Sequence, residues 1–165
     1  NSHYFKVRYI QQINHSFSLN TLYLDLYKSG YKVFENNLFF GVGNKNYRVV
    51  TCSEKYQENI KKGDYLCSTH PHQIYFEFLS EHGIIGTILV LLIFYKLIIS
   101  RLKKDFDSLN YIQLGSFTYL IFIFSPLLPS GAFFNDYAIT LFIINLAIFY
   151  SVNPKFNIFS GKERV

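Results

Sequence analysis

The sequence predicts an all-α, polytopic membrane protein, here a C-terminal fragment with part of a large outward-facing loop and about three transmembrane helices. Three observations carry this. Only 16% of the 165 residues are charged, while 50% are apolar; soluble domains carry about 25% charged residues. No charge occurs from Ser108 through Asn135, or again from Tyr137 through Pro154. A third run, Ile84 to Ser100, holds only Lys96. This pattern excludes a disordered chain and an ordinary soluble enzyme. The chain opens on Asn1 and shows no basic-then-apolar leader, so any export signal or earlier span is expected upstream of it.

A spanning helix needs about 20 apolar residues. The first candidate is short if it begins at Ile84, but sufficient if it begins near Ile74 with Lys96 snorkelling to the interface. The spans are therefore expected at 73–101, 111–128 and 137–152. A cytoplasmic loop over 102–110, an outward turn over 129–136 and a cytoplasmic tail over 153–165 connect and close them. Short loops rich in Lys and Arg stay in the cytoplasm. Lys96, Arg101, Lys103 and Lys104 lie after the first span, and Lys155, Lys162 and Arg164 after the third, on the same side of a three-span path. Residues 1–72 then face outward. They hold nine Lys and Arg, but long translocated segments escape the charge rule. Pro126 and Pro129 stop the second helix, and Phe133, Phe134 and Tyr137 are expected to form an aromatic belt at the outer interface. Asp136, at that boundary, reads as a solvated loop carboxylate or a functional group.

In the outward segment, apolar residues at 19, 22, 23, 26 and 27 follow helical spacing, so a helix is expected near 19–35. It either lies on the membrane surface with Lys28 and Lys32 toward headgroups or packs inside the protein. Gly30 is an awkward residue within it. Phe40-Gly41-Val42-Gly43 follows, with Lys45 and Arg48 close behind. The glycines permit a turn and a close backbone approach; the cations would suit an anionic ligand, while the plain alternative is a solvated turn. Cys52 and Cys67 are the only cysteines. On an oxidising side they are expected to pair, clasping a polar loop and keeping Arg48 and His72 in one neighbourhood. Free thiols are the alternative. His70-Pro71-His72-Gln73 precedes the first span, where Pro71 disfavours helix at His70. Glu77 and Glu81 share one helix face, which must point into protein or toward headgroups. The two histidines admit three readings: part of a metal site that needs further ligands, a general base near neutral pH, or simple interface polarity.

The run His70-Pro71-His72-Gln73-Ile74-Tyr75, followed by Glu81-His82-Gly83-Ile84-Ile85-Gly86, resembles the hallmark stretch of the O-antigen ligase and O-antigen polymerase superfamily. Phe40-Gly41-Val42-Gly43 with Tyr47-Arg48 resembles that family's upstream element, and Pro126 through Phe134 is similar to a Pro-Leu-Ile-Pro-Ser-Gly-Ser-Phe-Phe stretch of some members. The likeness covers residues 20–152. Gln73 stands where Asn is common and His82 where Thr is common. The resemblance implies a glycosyltransferase C-type protein of the bacterial inner membrane, multi-pass, with its catalytic loop periplasmic. It implies transfer of a glycan from undecaprenyl diphosphate to a lipid A core sugar or to another repeat unit, using no metal, cofactor or nucleotide sugar and no nucleic-acid partner. Carried over residue by residue, His72 matches the catalytic histidine and Arg48 the diphosphate-binding arginine. His70, Gln73 and Lys45 are expected at the substrate. Two competing readings are a repeat-unit polymerase and a non-catalytic component of glycan export. The latter is disfavoured because the spans hold almost no polar residue beyond Asn145.

Overall fold

The computed structural model describes residues 23–54, 65–100, 109–126 and 129–152. The expected helix start at 19–22, most of the 102–110 loop and the 153–165 tail lie outside these residues. All regular elements among the described residues are helical.

Helix α1 covers residues 23–36. Leu26, Ser29, Gly30 and Val33 are its buried positions, the i, i+3, i+4, i+7 stripe of a packing helix. Its contacts are with protein, since a Cβ on Gly30 would stand 2.8 Å from Pro71 Cβ and 3.1 Å from Phe76 Cβ. The glycine that weakens the helix by propensity is what lets it pass this close to Pro71 and Phe76. Helix α2 is the short Tyr47–Cys52. Tyr47 is fully buried and its hydroxyl donates to Ser29 Oγ at 2.9 Å; burial pushes that phenol up to about 12. Cys52 and Cys67 form a disulfide, and Thr51 Oγ1 donates to Ser68 O. The chain leaving α2 is thereby tied to the strand of residues that leads to His72.

Helix α3 runs Ile74–Phe94 and continues as a π-helical turn, Tyr95–Ile99. This 26-residue helix is long and apolar enough to cross a membrane, and only 17% of its most apolar window is buried. A core helix of a soluble protein would be mostly buried; here Ile84, Ile85, Ile88, Leu89, Leu92 and Ile93 are all exposed. Helix α4, Tyr111–Phe122, opens on a capping box between Asn110 and Gln113. Helix α5, Asp136–Ser151, is capped by Asn135 and carries the exposed Asp136 in its first turn, where a carboxylate complements the helix dipole. Both are shorter than α3, and among the described residues only α3 meets the length for a span.

The three helices run alternately. At one end Tyr75 Oη donates to Phe124 O and Gln73 Nε2 to Pro126 O, joining the start of α3 to the end of α4. At the other, Gln113 Nε2 donates to Phe149 O and Tyr150 Oη to Leu97 O. Phe78, Phe94, Phe124, Phe133 and Phe142 fill the space between them. Phe133 was expected at the outer interface; it is 4% exposed and meets Phe78 edge-on at 5.5 Å. The cause is Glu77, whose two carboxylate oxygens accept the Phe133 N–H at 3.0 and 2.9 Å and draw the 129–135 turn inward. Tyr137 is 77% exposed.

Candidate functional site

The site is built where two loops meet α3. Gly83 has φ 64° and ψ −172° inside the helix, a conformation essentially restricted to glycine. It breaks the helical ladder, leaving the Ser80 and Glu81 carbonyls and the Ile84 and Ile85 amides without their i, i+4 partners. The loop before α2 supplies all four. Val42 N and Gly43 N donate to Ser80 O and Glu81 O at 2.9 and 2.8 Å, while Ile84 N and Ile85 N donate to Leu38 O and Phe39 O at 2.8 and 3.3 Å. The loop is spliced into the helix. Gly41 is required for the same reason: a Cβ there would lie 2.4 Å from the Glu81 carbonyl carbon, and one on Gly83 would lie 2.4 Å from that of Phe39. The Gly-Val-Gly element is thus a packed backbone clip against α3, not an open turn. Glu81, 3% exposed, completes it by accepting the Lys45 N–H on Oε2 at 3.0 Å.

Gln73 caps α3. Its Oε1 accepts from Tyr75 N and Phe76 N at 2.9 and 3.0 Å while its Nε2 reaches Pro126 O. At 4% exposure its amide is committed to structure. Immediately before it, His72 takes φ 56°. Among the described residues the non-glycine positions with positive φ are His72 and Lys45, each costing about 1–2 kcal/mol relative to ordinary backbone. Both are pinned: His72 O accepts from Ser130 N at 2.9 Å, and Lys45 N is held by Glu81.

The His72 ring lies 4.0 Å from that of His70 and 5.8 Å from Tyr23, which it meets edge-on. Burial lowers the His72 pKa below the usual imidazole value. Burial, and then the neighbouring His72, lower that of His70, against an opposing contribution from the Ser130 backbone. Both rings are therefore neutral near pH 7. His70 Nδ1 bonds to Thr69 Oγ1 at 2.9 Å, and its Nε2 is buried without a partner. Arg48 sits on α2 with its side chain exposed; among the described residues it has no hydrogen-bond or ion-pair partner. One turn further along α2, Thr51 bonds to Ser68, two residues before His70. Among the described residues no three His, Cys, Asp or Glu side chains cluster as metal ligands.

His70 and His72 are brought together, while Lys45 and Arg48 follow the clip, which is fixed further along α3 at Ser80–Ile85. The sequence reading missed Gly83 as a break, Ser130 as the support of His72, and the two buried glutamates as anchors. A glycine in mid-span and acidic residues one turn apart were the signals available.

No curated protein and no solved structure matches the chain. The family model described as O-antigen ligase matches residues 2–91, more than half of the sequence, and that stretch takes in the clip, α2, the disulfide, both histidines and the broken first half of α3. On that match the chain belongs to the O-antigen ligase family, membrane proteins of lipopolysaccharide biosynthesis whose ligase- or polymerase-type activity joins a lipid-linked glycan to a glycan acceptor.

Proposed function

We infer that the chain takes part in transferring a polysaccharide from undecaprenyl diphosphate to a lipid A core sugar at the periplasmic face of the bacterial inner membrane, with the C-terminal helices as successive spans. The observation that carries this is the coincidence of backbone strain and chemistry. Among the described residues the strained, non-glycine positions are His72, which the resemblance assigns to the reaction, and Lys45, whose charge would suit an anionic ligand. Strain of that kind persists where surrounding structure over-determines it, and it concentrates at functional sites.

In this reading the acceptor hydroxyl oxygen attacks the anomeric carbon of the donor. The new glycosidic bond forms, the bond from that carbon to the diphosphate oxygen breaks, and His72 takes the hydroxyl proton. A neutral imidazole is the form able to accept it. The departing lipid diphosphate carries the bonding electrons away as negative charge. Arg48 offers a planar fork of donors that stays charged at any relevant pH, and Lys45 adds a second cation. His70 backs His72 from its place 4.0 Å away, ring to ring, at the edge of the substrate. Gln73 acts from behind, by fixing the helix start that follows His72.

The test is transfer of lipid-linked glycan in membranes. His72→Ala abolishes it while the protein still inserts and forms its disulfide, and Arg48→Lys fails as well, since a point charge cannot copy the fork. Wild-type levels of long-chain product in His72→Ala would remove the histidine from the mechanism. A repeat-unit acceptor used in preference to lipid A core would make the activity that of a polymerase.

A further inference from the structure

Helix α1 crosses α3 at Gly30, and beside that crossing lies an open groove of about 580 Å³. Its aromatic walls are Tyr27, Tyr31 and Phe76, and its polar rim is Asp25, Lys28 and Lys32. Tyr27 and Phe76 stack at 5.6 Å with 29° between their planes. The ring series continues from Tyr27 to Tyr23 at 6.5 Å and from Tyr23 to His72 at 5.8 Å. Ring contacts through Tyr23, which lies beyond the groove's lining, therefore connect its Tyr27 wall to the imidazole. Lys28 pairs with Asp25 and Lys32 with Glu35 on the outer side of α1.

We propose that this groove is the acceptor subsite, binding a pyranose-based glycan so that one of its hydroxyls lies at His72. This rests on the reading of His72 given above and adds where the nucleophile is held. A pyranose presents an apolar C–H face and a girdle of hydroxyls, which match a ring platform bordered by charged groups of both signs. The volume falls within the roughly 300–1,000 Å³ of ligand pockets. A lipid tail is the poorer fit. The wall residue Phe76 is in the first turn of α3, whereas the exposed apolar stretch begins at Ile84, about 12 Å further along the axis. Hydrocarbon would also exclude the Asp25 and Lys28 charges. The donor, tethered to the membrane, is thereby left the Lys45 and Arg48 side of the site, and the acceptor the outward side.

The experiment uses the full chain in nanodiscs, with core oligosaccharide freed of lipid A by mild acid as the probe, read by saturation-transfer NMR. Tyr31 is half exposed, its ring contact among the described residues being with Phe34, so Tyr31→Ala keeps the fold, checked by the melting temperature. Tyr31→Ala weakens oligosaccharide binding by about tenfold, the equivalent of one lost aromatic contact. His72→Ala still binds. In steady-state transfer the loss in Tyr31→Ala falls on the acceptor KM, and that in His72→Ala on kcat. Unchanged oligosaccharide binding in Tyr31→Ala overturns the proposal even if transfer proceeds. So does a rise in the KM for the lipid-linked donor alone, which would make the groove a lipid site. Because the binding arm needs no chemistry, loss of binding in Tyr31→Ala upholds the groove even if His72 proves not to be the base.

Discussion

Replacing Gly83 by alanine tests whether the loop really is spliced into α3. The new Cβ would stand 2.4 Å from both the carbon and the oxygen of the Phe39 carbonyl and 2.5 Å from Phe40 N. These are backbone atoms, so no side chain can swing aside. The φ of 64° with ψ −172° adds its own cost, about 1–3 kcal/mol for a residue outside its allowed regions. Relief of the clash requires the loop to withdraw, which opens the four backbone hydrogen bonds of the splice. Each contributes a net ~1 kcal/mol. Loss of two or more, added to the strain, gives roughly 3–6 kcal/mol, at the upper end of single-substitution effects. Denaturant unfolding in mixed micelles, followed by helicity, reads this directly. Gly41→Ala attacks the same junction from the other side, with its Cβ 2.4 Å from Glu81 C. Once the loop has been expelled by one substitution the second has little left to break, so the double variant is expected to cost barely more than the worse single one. A Gly83→Ala protein within about 0.5 kcal/mol of wild type, or strict additivity with Gly41→Ala, would refute the splice.

Glu77→Gln keeps a carbonyl oxygen for the Phe133 N–H and should be tolerated, whereas Glu77→Ala strands that buried donor at a cost of about 1–3 kcal/mol; comparing the two by thermal unfolding separates the hydrogen bond from the charge. Reduction of Cys52–Cys67, or Cys52→Ser, opens a 15-residue separation and should lower stability by about 3 kcal/mol. Transfer should fall further than that loss explains, because the α2 cation is released from the histidines; full activity after verified reduction would contradict this. Transfer by the wild type should rise with pH through a midpoint below 6.5, since burial lowers the His72 pKa and only the neutral ring accepts a proton; a midpoint above 6.5 would point to a different base. The same group makes folding less favourable in acid, because the unfolded chain binds the proton first as pH falls through 6.5.

What the sequence announces here is what a single energetic term decides. The apolar run over 84–100, with Lys96 its one charge, is legible because hydrocarbon penalises every charge alike. The pairing of Cys52 with Cys67 is legible because two cysteines leave one choice. The break at Gly83 is not legible in the same way. Hydropathy averages across it, and its four missing hydrogen bonds are made by residues some forty positions earlier. Gln73 is ambiguous for another reason: an amide serves a substrate or a helix start equally well, and only the positions of Tyr75 N and Phe76 N decide. Phe133 misled because aromatics suit both an interface and a core, and a carboxylate one helix away drew it in. For the site, residue types left several readings open and the family resemblance pointed to His72 and Arg48; the support of the positive-φ His72 by Ser130 comes from a different loop.

The two buried glutamates explain how such a site can be both rigid and cationic. Glu77 and Glu81 are 2% and 3% exposed, a burial that costs several kcal/mol for each charge unless compensated. Each accepts from backbone amides, Phe133 N for one and Lys45 N for the other, and Glu81 also feels the Lys45 charge. Had Glu81 paired with the Lys45 side chain instead, the same loop would be fixed but its positive charge neutralised. Because the hydrogen bond to Glu81 is made by the Lys45 backbone, the exposed Lys45 and Arg48 side chains are the cations that the proposed reading offers to an anion. It also aligns the two loops along one face of α3, the 129–135 turn at the level of Glu77 and the clip one turn below. His72, joined to Ser130 of the first loop, and Lys45, joined to Glu81 beneath the second, are then placed by a single rigid helix. The two stand 27 positions apart in sequence; the loops that hold them are anchored on carboxylates one helical turn apart.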